Sequence, residues 1–313
     1  MRFGVQLGVD APTDPDALVE LAGAAEAVRF DSFWVGDHFV MPVRIDEQAH
    51  GRDVGGKQPF ADRSRAPISE PLTTLCFLAG SVSRLRLGIA VLVVPLRNPV
   101  QAAKMLANLD VLSRGRLDIG VGTGWIEPEF EALRTPPFER RGRVTDDYLD
   151  VMIELWTNDE PRIDREHYRV SGITLYPKPI QSPHPPLWIG GNGPAAIRRA
   201  ARVGHGWMPL FQPPETLPGK ITELERLRSD YGSDHGPRPP AVVAVGCRFG
   251  FHDGRDSDRP LLSGTPRQMR DDVKRYEDVG IDELHLITAA PNQVVAEVVD
   301  AWKRFDDEVI DRL

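Results

Sequence analysis

The chain has 313 residues, 41% of them hydrophobic, and its 38 basic against 46 acidic side chains leave a net charge of −8. That composition excludes a disordered chain, and the acidic balance argues against a non-specific binder of nucleic acid or of anionic membranes. Two cysteines, Cys76 and Cys247, in no C-x-x-C pair, exclude a disulfide framework and fit a reducing, cytoplasmic compartment. The opening MRFGVQLGVD has no basic-then-apolar signal pattern. No apolar run reaches the roughly 18 residues a membrane span requires.

In chain order, residues 3–9 read as a strand and 16–28 as a helix with Leu18, Leu21, Ala22 and Ala25 on one face. Residues 32–36 are a second strand. Residues 86–94 form an unbroken apolar run, the pattern of a strand buried on both faces. A helix over Pro99–Leu112 opens on proline. A strand over 117–121 and a helix over 146–156 come next. Strands at 187–189, 205–208, 241–249 and 283–287 alternate with helices at Pro194–Val203, 214–230, 265–279 and 292–305. Eight strands alternating with helices imply parallel pairing and right-handed crossovers. A (β/α)8 TIM barrel, one domain over residues 1–313, accommodates eight such units better than a doubly wound sheet.

Two stretches break the alternation. Residues 41–69, rich in Gly, Pro and charge, follow the second strand; residues 161–179 carry a candidate hairpin, HYRVSGITLYP, before the fifth. In a barrel, the loop after a strand lies at the C-terminal mouth, where active sites are built, so 41–69 reads as a mouth loop that covers a ligand, or as a plain insertion.

Four motifs lie at strand ends. Asp37-His38, after Trp34-Val35-Gly36, sets an imidazole beside an acid, fit for proton transfer or for closing the strand structurally. Gly88–Val91 is by periodicity a buried strand. Gly122-Thr123-Gly124-Trp125 permits close backbone approach but is not G-x-G-x-x-G. Gly190-Gly191-Asn192-Gly193 precedes Pro194, so helix N–H groups there suit a phosphate or form an ordinary barrel turn. No H-E-x-x-H, EF-hand, P-loop or G-x-S-x-G motif occurs, and the histidines show no metal-ligand spacing. Glu127, Glu129 and Glu131 read as a solvated helix face.

Together, WVGDHF (34–39), RLRLGIAVLVVPLRNPVQAAK (84–104), LDVLSRGRLDIGVGTGW (109–125) and PKPIQSPHPPLWIGGNGPAAIRRAARVGHGW (177–207) resemble the luciferase-like monooxygenase superfamily, most closely its coenzyme F420-dependent oxidoreductases. The resemblance implies that Asp37 and His38 lie beside a deazaflavin ring, and that a non-prolyl cis peptide at Ala90–Val91 lies behind it. It places Gly122, Thr123, Gly124 and Trp125 near ring and substrate, and Gly190, Gly191, Asn192 and Gly193 near the cofactor's phosphate. His38 is then the candidate for proton transfer, with Asp37 orienting it or contacting the cofactor. The superfamily's sugar-phosphate dehydrogenases carry a glutamate where this chain has Trp125, which points instead to an apolar or aromatic-tolerant pocket.

The implied reaction is hydride transfer between the deazaflavin and a small organic substrate, with no metal and with a homodimer as the family's habit. Arg44, Arg52, Arg63 and Arg65 of the 41–69 loop would attract the cofactor's anionic tail, or are solvated loop charges. The alternatives are a reduced-flavin (FMN) monooxygenase of the same fold and a non-catalytic cofactor-binding barrel.

Overall fold

The computed structural model describes residues 1–8, 12–43, 67–231, 241–253, 259–288 and 294–313. The first crossover runs β1 (Arg2–Leu7), α1 (Pro15–Ala27), β2 (Ser32–Val35) and α2 (Pro71–Ala79). There follow β3 (Arg86–Val93), α3 (Pro99–Leu112), β4 (Leu117–Gly122), α4 (Glu127–Leu133) and α5 (Arg141–Thr157). A small hairpin, β5 (Ile163–Asp164) with β6 (Arg169–Val170), precedes β7 (Leu187–Gly190), α6 (Pro194–Val203), β8 (Gly206–Met208) and α7 (Pro218–Asp230). The chain continues with β9 (Val242–Arg248), the short β10 (Gly250–Phe251) and β11 (Ser263–Gly264), α8 (Pro266–Asp278), β12 (Glu283–Thr288) and α9 (Val295–Glu308). Eight strands close in the order β1-β12-β9-β8-β7-β4-β3-β2, every pair parallel. This is the expected (β/α)8 barrel.

Local chemistry starts the helices where the sequence reading places them. Asp14 accepts from the Ala17 N–H at 3.0 Å ahead of Pro15, and Asn98 accepts from the Val100 and Gln101 N–H groups ahead of Pro99. Thr265 and Gln268 form a reciprocal capping box on α8. Every second residue of each strand faces the helices: Val5, Phe33, Leu87, Ile119, Ile189, Val245 and Leu286 are fully or almost fully buried against Leu21, Leu75, Leu106 and Leu149. Each such burial contributes about 1.5–3 kcal/mol.

Three differences from the sequence reading stand out. The helix α2 was not expected; its sequence PLTTLCFLA is apolar nearly all round, so a 3.6-residue stripe is faint, and the cap that starts it, Glu70 accepting from the Thr73 N–H at 2.7 Å, is an uncommon one. The hairpin sits earlier than HYRVSGITLYP, because Ile163 pairs with Val170 and Asp164 with Arg169. The short parallel pair β10–β11 was also unforeseen. The body of the 41–69 loop, with Arg44, Arg52, Arg63 and Arg65, lies outside the described residues, as do the ends of the expected first strand at 9 and last helix at 292.

The other alternate residues point into the barrel, and at its N-terminal end they fill it. The Trp34 and Trp188 rings meet edge to face at 6.1 Å, and the His285 ring lies against Trp34 at 4.5 Å. Trp34 Nε1 donates to Ser32 Oγ (2.8 Å), Ser32 Oγ donates to Glu283 (2.9 Å), and His285 Nε2 lies 2.9 Å from the same carboxylate oxygen. Trp188 Nε1 donates to Asp118, which also holds Arg86 through two N–H bonds of 2.6 and 2.8 Å. Gly88 has no side chain because a β-carbon there would collide with the Trp34 indole.

Candidate active site

At the opposite end, Gly36, Asp37 and His38 follow β2. Asp37 is buried, and its carboxylate is fully engaged: Arg97 donates to both oxygens at 2.6 and 2.8 Å, and the Val93 N–H donates at 2.7 Å. Arg97 also reaches Glu70 (2.9 Å) and lies over the Phe39 ring at 4.3 Å. This buried pair therefore ties the ends of β2 and β3 to the start of α2. With its oxygens taken by Arg97 and the Val93 N–H, Asp37 has no hydrogen bond to His38 among the described residues; the sequence reading has it contacting the cofactor or orienting the imidazole.

Glu129 occupies that place. It is a first-turn residue of α4 with a side chain only 1% exposed, and its Oε2 lies 3.2 Å from His38 Nδ1. Its Oε1 accepts from the Phe39 N–H at 2.6 Å and the Val40 N–H at 3.3 Å. The expectation that Glu127, Glu129 and Glu131 form one solvated face thus holds for two of them and fails for Glu129. The helical period carried the signal: Ile126, Phe130 and Leu133 share a face, and Glu129 falls within it, while Glu127 and Glu131, four apart, lie on the other side.

His38 Nε2 has no hydrogen-bond partner among the described residues, and the Trp125 ring stands edge to face with the imidazole at 6.1 Å and 88°. Trp125, Thr123 and Gly124 are half-buried. Gly124 adopts φ 81°, and its carbonyl accepts from Arg141 Nε at 3.2 Å.

The Ala90–Val91 peptide is cis, at a register shift between β3 and β4. Ala90 and Val91 are half-buried at the mouth, above the two tryptophans. Val91 leans over the neighbouring strands towards Gly122 and Gly190, where a side chain would strike it. Those two glycines are therefore explained by packing within the protein itself.

The turn after β7 is held from below. The Asn192 side chain both donates to the Leu210 carbonyl (3.0 Å) and accepts from the Leu210 N–H (2.9 Å). Trp207 Nε1 donates to the Gly191 carbonyl at 2.8 Å, and Gly191 has φ 116°. Gly193 is the residue before α6; it is exposed, and a β-carbon there would meet nothing within 4 Å. The turn is thus anchored through Gly191 and Asn192 and open above Gly193. Among the described residues, no group of three or more His, Cys, Asp or Glu is arranged to hold a metal, and no helix is long and apolar enough to cross a membrane.

Residues 1–257 match the family model described as luciferase-like monooxygenase. The chain belongs to the luciferase-like monooxygenase family. It is 33% identical over 285 residues to an uncharacterized protein of Mycobacterium tuberculosis, covering 91% of this chain and 88% of that one. It is also 33% identical over 199 residues to an F420-dependent glucose-6-phosphate dehydrogenase of Gordonia bronchialis, covering 62% of this chain and 53% of that one. Two solved structures share the fold. A monooxygenase from Streptomyces bottropensis aligns with TM-score 0.79 at 19% identity, covering 100% of this chain and 99% of that one. An F420-dependent secondary alcohol dehydrogenase, solved with an F420-acetone adduct, aligns with TM-score 0.78 at 20% identity, covering 99% and 98%. As a member of this family, the chain is an oxidoreductase of the deazaflavin and flavin class.

Proposed function

We propose that this luciferase-like protein is a coenzyme F420-dependent oxidoreductase that moves a hydride between the deazaflavin and a small, largely apolar organic substrate. The observation that carries the reading is His38: an imidazole at the barrel mouth, backed by a buried carboxylate on Nδ1 and, among the described residues, without a hydrogen-bond partner on Nε2. The F420-dependent relatives and the F420-dependent structural neighbour support the same class.

The residues fit such a cofactor. Half-buried Ala90 and Val91 offer a small apolar shelf for one ring face. The open backbone at Gly193, at the positive end of the α6 dipole, would take the phosphate. When bound, the deazaflavin supplies a ring carbon that accepts or gives up a hydride and reacts poorly with oxygen. The protein's part is to hold the substrate in line, keep water out and manage one proton. His38 Nε2 takes the substrate hydroxyl proton in the oxidising direction and returns it in the other. Trp125 stands where the sugar-phosphate dehydrogenases have a glutamate; it walls the site with an apolar surface and favours a neutral substrate over a sugar phosphate. Asp37, paired with Arg97, acts on the cofactor only through the wall it holds in place.

The second reading, an FMN-dependent monooxygenase, is favoured by the neighbours that are monooxygenases. Titration of the purified protein with the deazaflavin and with FMN, at low and moderate salt, separates the two. Tighter deazaflavin binding that weakens with salt supports the proposal. Tight FMN binding with oxygen consumption, and no deazaflavin binding, overturns it. The homodimer belongs to the same proposal and is read from sedimentation of the same sample.

A further inference from the structure

We propose that Glu129 is a positioning residue that keeps the imidazole proton of His38 on Nδ1, and so leaves Nε2 as the lone-pair atom facing the mouth. The inference builds on the reading of His38 as the proton-handling group, but it concerns the protein alone.

The geometry leaves little freedom. Glu129 Oε1 receives two backbone N–H groups, from Phe39 and Val40, and Oε2 faces His38 Nδ1 at 3.2 Å. An ionised carboxylate only accepts, and here one oxygen already takes two backbone N–H groups while the other faces Nδ1. Nδ1 must then carry a hydrogen. A neutral imidazole has only one N–H, so Nε2 is bare. Trp125 edge to face against the ring, with the carboxylate behind it, limits rotation that would exchange the two nitrogens. When Nε2 gains a proton, the positive ring already has its counter-charge at Nδ1. Asp37 is the other acid next to the site, but its oxygens are taken by Arg97 and the Val93 N–H, so it cannot substitute.

A purely structural role for Glu129, tying residues 38–40 to α4, would be met equally well by glutamine. In Glu129→Gln the amide oxygen still accepts from Phe39 and Val40, but the amide NH2 now faces Nδ1. Nδ1 must become the acceptor, and the proton moves to Nε2. The two roles therefore predict different nitrogens.

The test is long-range ¹H–¹⁵N NMR of the cofactor-free protein labelled with ¹⁵N-histidine, the His38 signals being assigned by their loss in His38→Ala. In the wild type, neutral His38 is expected with a protonated Nδ1 and an unprotonated Nε2. In Glu129→Gln the assignments are expected to exchange, with circular dichroism unchanged. Turnover, measured with a secondary alcohol and the deazaflavin, should fall roughly 10²–10⁴-fold. A wild-type ring protonated at Nε2 overturns the proposal, as does a folded Glu129→Gln with unaltered protonation. If that variant does not fold, the wild-type spectrum alone decides. Because the spectrum needs no cofactor, the positioning role can stand even if the deazaflavin proves not to bind, and can fail even if it does.

Discussion

The two ends of the barrel are built from the same eight strands and solve opposite problems. At the N-terminal end, Trp34, Trp188 and His285 fill the interior; Ser32, Asp118 and Glu283 partner the two indole N–H groups and His285 Nε2, while His285 Nδ1 is buried with no hydrogen-bond partner among the described residues. Towards the C-terminal end, Met208 packs over the tryptophans and the inward positions include the small Ala90, Val91, Gly122, Gly190 and Gly246, while polar groups are drawn into the wall: Asp37 by Arg97, His38 by Glu129, Asn192 by Leu210. Closed and open halves thus differ in side-chain volume and, at the cis Ala90–Val91 peptide with its register shift, in backbone as well. The closed half should respond to mutation in stability, and the open half in binding and turnover.

The largest effect should come from breaking the closed half. Trp188→Ala removes a buried indole and leaves Asp118 without one of its donors, so it should cost about 3–5 kcal/mol. Urea denaturation of the cofactor-free protein measures this directly; a loss below 1 kcal/mol would show that the filled end is not what holds the barrel. In the open half, His38→Ala should cut turnover by roughly 10²–10⁴-fold while leaving the melting temperature within a degree or two. Normal specific activity together with a large fall in melting temperature would place His38 with the tryptophans as a structural residue.

Subtler is Gly193→Ala. Gly193 has φ −92° and open space around it, so an added methyl should leave stability unchanged and still weaken cofactor binding about ten-fold by blocking backbone approach. Gly191 is a poorer probe, because φ 116° makes any side chain there strained with or without a ligand. Unchanged affinity in Gly193→Ala would remove this turn from the cofactor site.

The smallest effect lies at the seam between wall and helix. Burial works to raise the Glu70 carboxyl, but the Thr73 N–H and the Arg97 guanidinium outweigh it and hold the group below its ordinary 4.5. A carboxyl whose folded value is lowered adds stability above its unfolded value and loses it as pH falls through the folded one. Glu70→Gln should therefore lower the melting temperature slightly at neutral pH, with the gap to wild type closing in acid. A gap that persists at the lowest pH would mean that cap geometry, and not charge, is at work.

Much of this was legible in the sequence. Alternating apolar runs and helical stripes place eight strands, and proline with Asp, Asn or Thr before it marks the starts of α1, α3 and α8, because caps and periodicity act between residues close in the chain. The same local logic, applied to Ile126, Phe130 and Leu133, would have shown that Glu129 faces inward. The four motifs do gather at one end, since every parallel strand delivers its C-terminus to the same mouth.

By itself, then, the sequence determined the barrel, the order of its strands and which loops reach the mouth, since these follow from a repeating βα pattern that closes in essentially one way. Only the tertiary structure decided partnership. Asp37 adjoins His38 in the chain, yet successive residues after a strand diverge, and each found its polar partner far away: Asp37 with Arg97, 60 positions on, and His38 with Glu129, 91 positions on. A buried charge must be paired wherever the fold brings an opposite or accepting group within about 3 Å, and that distance is set by packing and is not encoded in spacing along the chain.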